Sequence, residues 1–200
     1  WRHTCGRTPD NGIPEGIMAA TKPTSSSPGQ VPQGKAPRDS RVTMTEIVLP
    51  SHANALGTIF GGKIMEWIDI AGAIAAGRHA RRVVVTASID ALHFVNPVKV
   101  GQVVQIQASV NYAGRTSMEV GVRVDAENPV TGENFHTATA YLTFVALDEH
   151  GKPTTVPPVA PATPEDKRRY QSAMSRRESR VRLAEELQRH ERPASDQSSS

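Results

Sequence analysis

Residues 52–79, HANALGTIFGGKIMEWIDIAGAIAAGRH, limit the possible folds of this chain more than any other stretch. Ile64, Trp67, Ile68, Ala71, Ile74 and Ala75 recur at helical spacing, and no proline interrupts them. The spacing predicts a helix over about 62–78. Alanine and glycine fill most of the remaining positions, so this helix is apolar nearly all round and must be buried on most sides. One carboxylate, Asp69, sits in its middle. An ionised carboxylate there needs partners or water, so Asp69 reads either as a satisfied structural group or as a reactive one, since unusual carboxylates often mark functional sites. Glu66, three residues earlier, can share its face. The glycine pair Gly61-Gly62 opens the helix. It is either a close-packing device or a source of unpaired backbone N–H groups that suit a developing oxyanion.

The rest of the apolar pattern belongs to strands. Residues 43–49 read as a first strand stopped by Pro50, and 83–94 (VVVTASIDALHF) as a second, closing at Asn96-Pro97. In 103–110, Val104, Ile106, Ala108 and Val110 alternate with polar residues. Residues 117–126 alternate likewise through Met118, Val120, Val122 and Val124, and 136–147 through Ala138, Ala140, Leu142, Phe144 and Ala146. Period two with one polar face predicts antiparallel strands covered on one side only. Ala113-Gly114-Arg115 and Asn128–Gly132 supply hairpin chemistry, which makes the last three strands a meander. The expected fold is therefore α+β: five antiparallel strands curled around one long helix, plus a C-terminal helical extension. Five strands leave one helix face open, and a second copy of the chain is its natural cover. A homo-oligomer is expected.

Composition divides the 200 residues unevenly. Hydrophobic residues make up 38% of the chain, and almost all their periodicity falls within 43–147. This gives a disordered segment 1–40, a domain 41–150, a proline-rich linker 151–163, a charged helix 164–192 and a disordered tail 193–200. The chain starts at Trp1, and Met18 is a candidate initiator. The single cysteine, Cys5, precedes the domain, so one copy of the domain holds no disulfide and no cysteine-based metal site. No secretory leader and no run of about 18 apolar residues is present, so a cytoplasmic protein without a membrane span is expected. The net charge is +3 and the pI near 9.2. Between Lys167 and Arg192 nine Lys/Arg face four Glu, which favours anionic partners without naming one. Thr163 is a good N-cap for this last helix, with Pro164 at its first position and Glu165 and Asp166 in its first turn. Its apolar stripe is thin (Tyr170, Met174, Val181, Leu187). It reads as a solvated helix packed loosely on an oligomer, or as an arm for RNA or a membrane surface. His79, His93 and His136 read as structural, because none has a sequence partner suggesting a triad or metal site.

Four motifs, HANALGTIFGGKIMEWID, VVVTASIDALHF-x-x-PVKVGQVV, GRTSMEV and YLTFVALDEHGKPTTVP, occur in an order that resembles the hotdog-fold acyl-CoA thioesterases, in the branch of cytosolic acyl-CoA hydrolases and their bacterial relatives. The likeness covers roughly 43–159. It implies a helix wrapped by an antiparallel sheet, active sites between paired domains, and hydrolysis of acyl-CoA to a free acid and CoA without a metal or other cofactor. It further implies that Asp69 is the catalytic carboxylate, as general base or nucleophile, and that Asn54 positions water or the thioester from across the domain pair. Gly62 is our choice of oxyanion donor. The turn Arg115-Thr116-Ser117 resembles the CoA-contacting turn of the family, and Arg78 is a further candidate for the phosphates. Some relatives carry two such domains in one chain. This chain carries one, with both Asn54 and Asp69, so at least a homodimer is implied. A thioester is already activated, so no serine or cysteine nucleophile is needed, and N–H groups at the helix start suit its carbonyl oxygen. A hotdog dehydratase needs a His-plus-carboxylate pair near the helix start, which His52 and Asp69 do not supply. A non-catalytic acyl-CoA sensor is the alternative from another class; no helix-turn-helix or zinc motif flanks the domain, and no nucleic-acid partner is expected.

Overall fold

The computed structural model describes residues 33–191. The disorder expected for 1–32 and 193–200, Cys5 and the candidate start Met18 lie outside the described residues. In chain order the elements are β1 (Val42–Ile47), α1 (Gly61–Ala80), β2 (Val83–Phe94), β3 (Val103–Ala113), β4 (Ser117–Glu127), β5 (Asn134–Leu147) and α2 (Pro164–Glu191), with short 3-10 turns at Pro37–Ser40 and Pro50–His52. The five strands form one antiparallel sheet in the order β1-β3-β4-β5-β2. β3, β4 and β5 make the expected meander, and the strand that precedes α1 lies at one edge with the strand that follows it at the other.

Helix α1 packs against all five strands. Ile64, Trp67, Ile68, Ala71, Ala75 and Ala76 are buried against Val104, Ile106, Val110, Val120, Val122, Ala140, Leu142 and Phe144, the inward residues of the alternating strands. Gly72 is required by closeness: a Cβ there would stand 2.9 Å from the Phe144 ring. Arg81 ends the helix in the left-handed conformation (φ 53°), donating its N–H to the Gly77 carbonyl over 2.8 Å. The face of α1 turned away from the sheet keeps Met65, Ile70 and Ile74 about 40% exposed.

The outer face of the sheet departs from the sequence reading. It is only partly left to solvent: α2 lies across the region of Glu119 and Tyr141, while Gln105, Gln107 and Arg123 stay exposed. Arg176 of α2 donates to both carboxylate oxygens of Glu119 (2.7 and 3.2 Å) and stacks 3.6 Å from the Tyr141 ring centroid. Arg180 donates to Asp90 over 2.5 Å, Tyr170 meets Tyr112, and Ala173 is fully buried. The Glu119 side chain is only 1% exposed, although strand alternation places it on the polar face. The expectation of a loosely packed, solvated helix or a free binding arm is thus corrected for the first half of α2: guanidinium–carboxylate pairing, not an apolar stripe, docks it. Losing one partner from such a buried pair typically costs about 3–5 kcal/mol. Thr163 and Asp166 cap the helix reciprocally, each side chain accepting the backbone N–H of the other at 3.1 Å. Glu165 bonds both Arg168 and Arg169, which hold its carboxyl at about 2.

The boundaries also shift. Residues 33–40, expected to be disordered, are tied to the domain. Lys35 exchanges backbone bonds with Pro158 and Ala160, its ammonium caps the His79 carbonyl at 2.7 Å, and the Ser40 hydroxyl accepts the Val110 N–H at 3.0 Å. The proline-rich stretch is strapped on as well, Thr154 bonding Ala146, Val156 bonding Arg115, and Val156 and Val159 being buried.

His79 is 1% exposed, and its Nε2 lies 2.8 Å from the Pro157 carbonyl. Nε2 is therefore the protonated nitrogen, and Nδ1 faces no acceptor among the described residues. A second proton would be buried without a partner. Burial accordingly pushes the imidazole below its ordinary 6.5; the Pro157 bond opposes this and the Lys35 charge adds to it. A base depressed in the folded state is protonated first in the unfolded chain. Its contribution to stability is fully present above 6.5 and is lost as pH falls through the folded value. The urea midpoint should therefore drop between about pH 7.5 and about pH 5, above the carboxylate range, and drop less steeply in His79→Gln. Equal slopes in the two proteins would contradict this assignment.

Candidate active site

The segment before α1 is a closed loop. Asn54 takes the backbone N–H groups of Leu56 (2.9 Å) and Thr58 (3.3 Å) on its side-chain oxygen, and its amide nitrogen donates to the Thr58 hydroxyl at 3.0 Å. This is an Asx turn, and Gly57 (φ 74°) supplies the left-handed residue that it needs. The loop is laid onto 98–100 by bonds from Ile59 to Val98 and from Val100 to Gly57. Asn54 is consequently held, half-buried, by local chemistry that the sequence HANALGTIF contains.

Phe60 then caps α1 without any side-chain bond to the first turn. The Lys63 N–H bonds the Phe60 carbonyl at 2.9 Å, while the N–H groups of Gly61 and Gly62 have no acceptor among the described residues. Gly62 is exposed among them, and a Cβ there would fall 2.6 Å from the Phe60 ring. Glycine at this position is what lets the ring lie against the helix start. His52 meets Trp67 edge-on at 5.5 Å, and Lys63 binds Glu66 at 2.8 Å. Glu66 is thereby an exposed ion-pair partner and not a second carboxylate beside Asp69.

Asp69 lies two turns into α1, half-buried. Its Oδ1 accepts the Thr86 hydroxyl at 2.6 Å, and among the described residues Oδ2 has no hydrogen-bond partner. Thr86 pairs with Phe144 in the sheet, which turns its side chain to the helix face. Sequence reasoning missed Thr86. The signal was present as a hydroxyl among the β-branched residues of VVVTASID. However, β2 carries register shifts between Thr86 and Ser88 and between Ile89 and Ala91, so alternation along the strand does not reveal which residues face inward.

The remaining candidates stand apart from this pair. No hydrogen bond joins Asn54 to Asp69 within the described chain. Arg115, Thr116 and Ser117 form the β3–β4 turn, closed by the Gly114 N–H to the Ser117 carbonyl at 2.8 Å, with Arg115 exposed. Arg78 is exposed in the last turn of α1 and donates to the Arg41 carbonyl. His136 sits between Asp125 and Thr139, 3.0 Å from each, on the outer sheet face. Burial opposes ionisation of Asp125, but bonds from Arg123 and His136 outweigh it and hold the carboxyl below its ordinary range. Among the described residues no cluster of His, Cys, Asp or Glu is arranged to hold a metal ion, and no helix is long and apolar enough to cross a membrane. A cavity of about 530 Å³ lies between the outer sheet face and α2, lined by Arg41, Asn111, Arg123, Tyr141, Arg169 and Arg176. Most of its arginines already have partners, Arg123 with Asp125, Arg169 with Glu165 and Arg176 with Glu119.

Residues 56–133 match the thioesterase superfamily. A Bacillus subtilis protein, named as the uncharacterized acyl-CoA thioester hydrolase YkhA, is 42% identical over 147 residues, covering 74% of this chain and 86% of its own. A hexameric acyl-CoA thioesterase solved in its apo form is 47% identical, with a TM-score of 0.74 over 76% of this chain and 97% of that one. An acyl-CoA hydrolase of Staphylococcus aureus, solved with butyryl-CoA, CoA and CoA disulfide, is 40% identical, with a TM-score of 0.73 over 78% and 96% of the two chains. Alanine variants of that enzyme have been solved at an asparagine, an aspartate and a threonine, the aspartate following the asparagine by 15 residues and the threonine following the aspartate by 17.

Proposed function

This chain belongs to the thioesterase superfamily, and on that premise we propose that it hydrolyses the thioester of acyl-CoA, releasing a free carboxylic acid and CoA. The observation that carries the reading is the Asp69–Thr86 contact. A carboxylate in the middle of a mostly apolar helix is held by one oxygen, and the other, without a partner among the described residues, is free for a reactant. Asn54, Asp69 and Thr86 also repeat, in order and spacing, the three positions altered in the Staphylococcus aureus enzyme.

The chemistry follows from these groups. Thr86 fixes the Asp69 carboxylate, which takes a proton from water as the water attacks the thioester carbonyl, or attacks that carbon itself. The carbonyl oxygen gains negative charge, and the uncapped N–H of Gly62 at the helix start faces it. Collapse of the tetrahedral species breaks the C–S bond and releases CoA as its thiolate; after attack by water the proton on Asp69 passes to the thiolate or to solvent, and after direct attack water hydrolyses the mixed anhydride on Asp69 and frees the acid. Asn54 offers both a donor and an acceptor, which suits a water-orienting role. It reaches Asp69 from a second copy seated on the exposed Met65–Ile70–Ile74 face of α1, so the working unit is a homo-oligomer with two equivalent sites per pair. Arg115, Thr116, Ser117 and Arg78 contact the CoA moiety.

Thiol release from acetyl-, butyryl-, hexanoyl- and palmitoyl-CoA in EDTA tests the reading. Wild-type protein should release thiol. Asp69→Asn should lower kcat by about 10²- to 10⁴-fold, the range of a lost general base, with little change in KM. An active Asp69→Asn variant would sink the role given to this residue. Binding of intact acyl-CoA with no turnover would favour a sensor instead. Thr86→Val should cost about tenfold in kcat, the size of one charge-assisted hydrogen bond. A wild-type rate in that variant would remove Thr86 from the mechanism.

A further inference from the structure

β2 is the strand that presents Thr86, and it is poorly held for that task. It lies at the sheet edge, pairs among the described residues only with β5, and is broken by two register shifts within the five residues after Thr86. Asp90 is the unpaired residue of the second shift, between Ile89 and Ala91. Its side chain is only 8% exposed and faces the outer side of the sheet, away from the site. It accepts the hydroxyls of Ser88 (2.7 Å) and Thr143 (3.2 Å) and a guanidinium N–H of Arg180 (2.5 Å). One carboxylate thus gathers the bulged residues of β2, the adjoining strand β5 and a helix 90 residues away in sequence. The other charged groups facing Asp90 and Arg180 are Glu119, 3.4 Å from Arg180, and Arg176, which binds Glu119. Two guanidinium groups meet two carboxylates, and the cluster is neutral. Arg176 docks α2 on Glu119 and Tyr141. Within this cluster, Arg180 is the arginine that reaches β2.

We propose that Arg180 is a positioning residue for hydrolysis: through Asp90 it fixes the bulge of β2 and thereby the reach of the Thr86 hydroxyl to Asp69. The proposal rests on the thioesterase reading above. Without Arg180, Asp90 is a buried carboxylate with only two hydroxyl partners, and its relief is to move toward water. That movement carries the bulge with it. Thr86 lies two residues before Ser88, and a 2.6 Å hydrogen bond does not survive a displacement of one ångström. The C-terminal helix then sets the rate at a site it does not touch.

A double-mutant cycle tests this, at a temperature where circular dichroism shows every variant folded. Arg180→Ala should lower kcat about tenfold with KM nearly unchanged, and Arg180→Lys should recover part of the loss. In a Thr86→Val background Arg180→Ala should have almost no further effect, because the contact it protects is already gone. Equal losses in the two backgrounds, or no loss in the wild-type background, would overturn the proposal. Should Arg180→Ala fail to fold, Asp90→Asn takes its place, with the same outcomes required. If wild-type protein releases no thiol, the thioesterase reading falls, and the hold of Arg180 on β2 is judged separately by amide hydrogen exchange over residues 86–91. Faster exchange in Arg180→Ala supports the hold, and unchanged exchange rejects it.

Discussion

A helix that is apolar over most of its surface has to be largely enclosed, and the rest of this structure answers to that requirement. Helix α1 buries Ile64, Trp67, Ile68, Ala71, Ala75 and Ala76 against all five strands, and Gly72 lets Phe144 approach its backbone. The strands can surround the helix because β1 and β2, which flank it in sequence, occupy opposite edges of the sheet. One face with Met65, Ile70 and Ile74 stays uncovered. Burial of apolar area is the dominant favourable term in folding and in association alike, so the proposed pairing draws on the same helix as the fold.

Asp69 sits at the boundary between what the chain covers and what it leaves open. There a carboxylate keeps one partner from its own chain, Thr86, and remains accessible to a reactant and to a neighbouring copy. The two halves of the proposed site are built differently. Asn54 is held by a self-contained Asx loop, whereas Asp69 and Thr86 depend on packing between α1 and the edge strand. The outer face adds a second level of support. Glu119, Asp90, Arg176 and Arg180 form a buried, neutral cluster that ties α2 to β4 and β2. The proposed link between the sheet edge and the placement of Thr86 runs through these charges, not through the apolar core.

What the sequence disclosed was local and periodic. The alternation in 103–110, 117–126 and 136–147 marked the inward residues of β3, β4 and β5, and helical spacing marked α1 within two residues at each end. The cap residues Thr163 and Asp166 were legible because capping is a contact between close neighbours. What stayed hidden depends on residues far apart. The Arg176–Glu119 and Arg180–Asp90 pairs span 57 and 90 residues and leave no periodic trace, so α2 reads from sequence as a solvated helix. The bulges in β2 disguise Thr86 in the same way, because they shift the phase by which facing is inferred.

The central claim is that Asn54 of one copy and Asp69 of another complete each site. Asp69→Ala and Asn54→Ala chains, each inactive alone, are mixed after reversible dissociation, and thiol release from butyryl-CoA is followed once exchange of subunits has been verified. If sites form across a two-fold pair, random mixing restores about a quarter of wild-type activity, since half the pairs are mixed and each has one intact site. Activity that stays at the level of the separate mutants, with exchange confirmed, would contradict the account and place both residues in one chain.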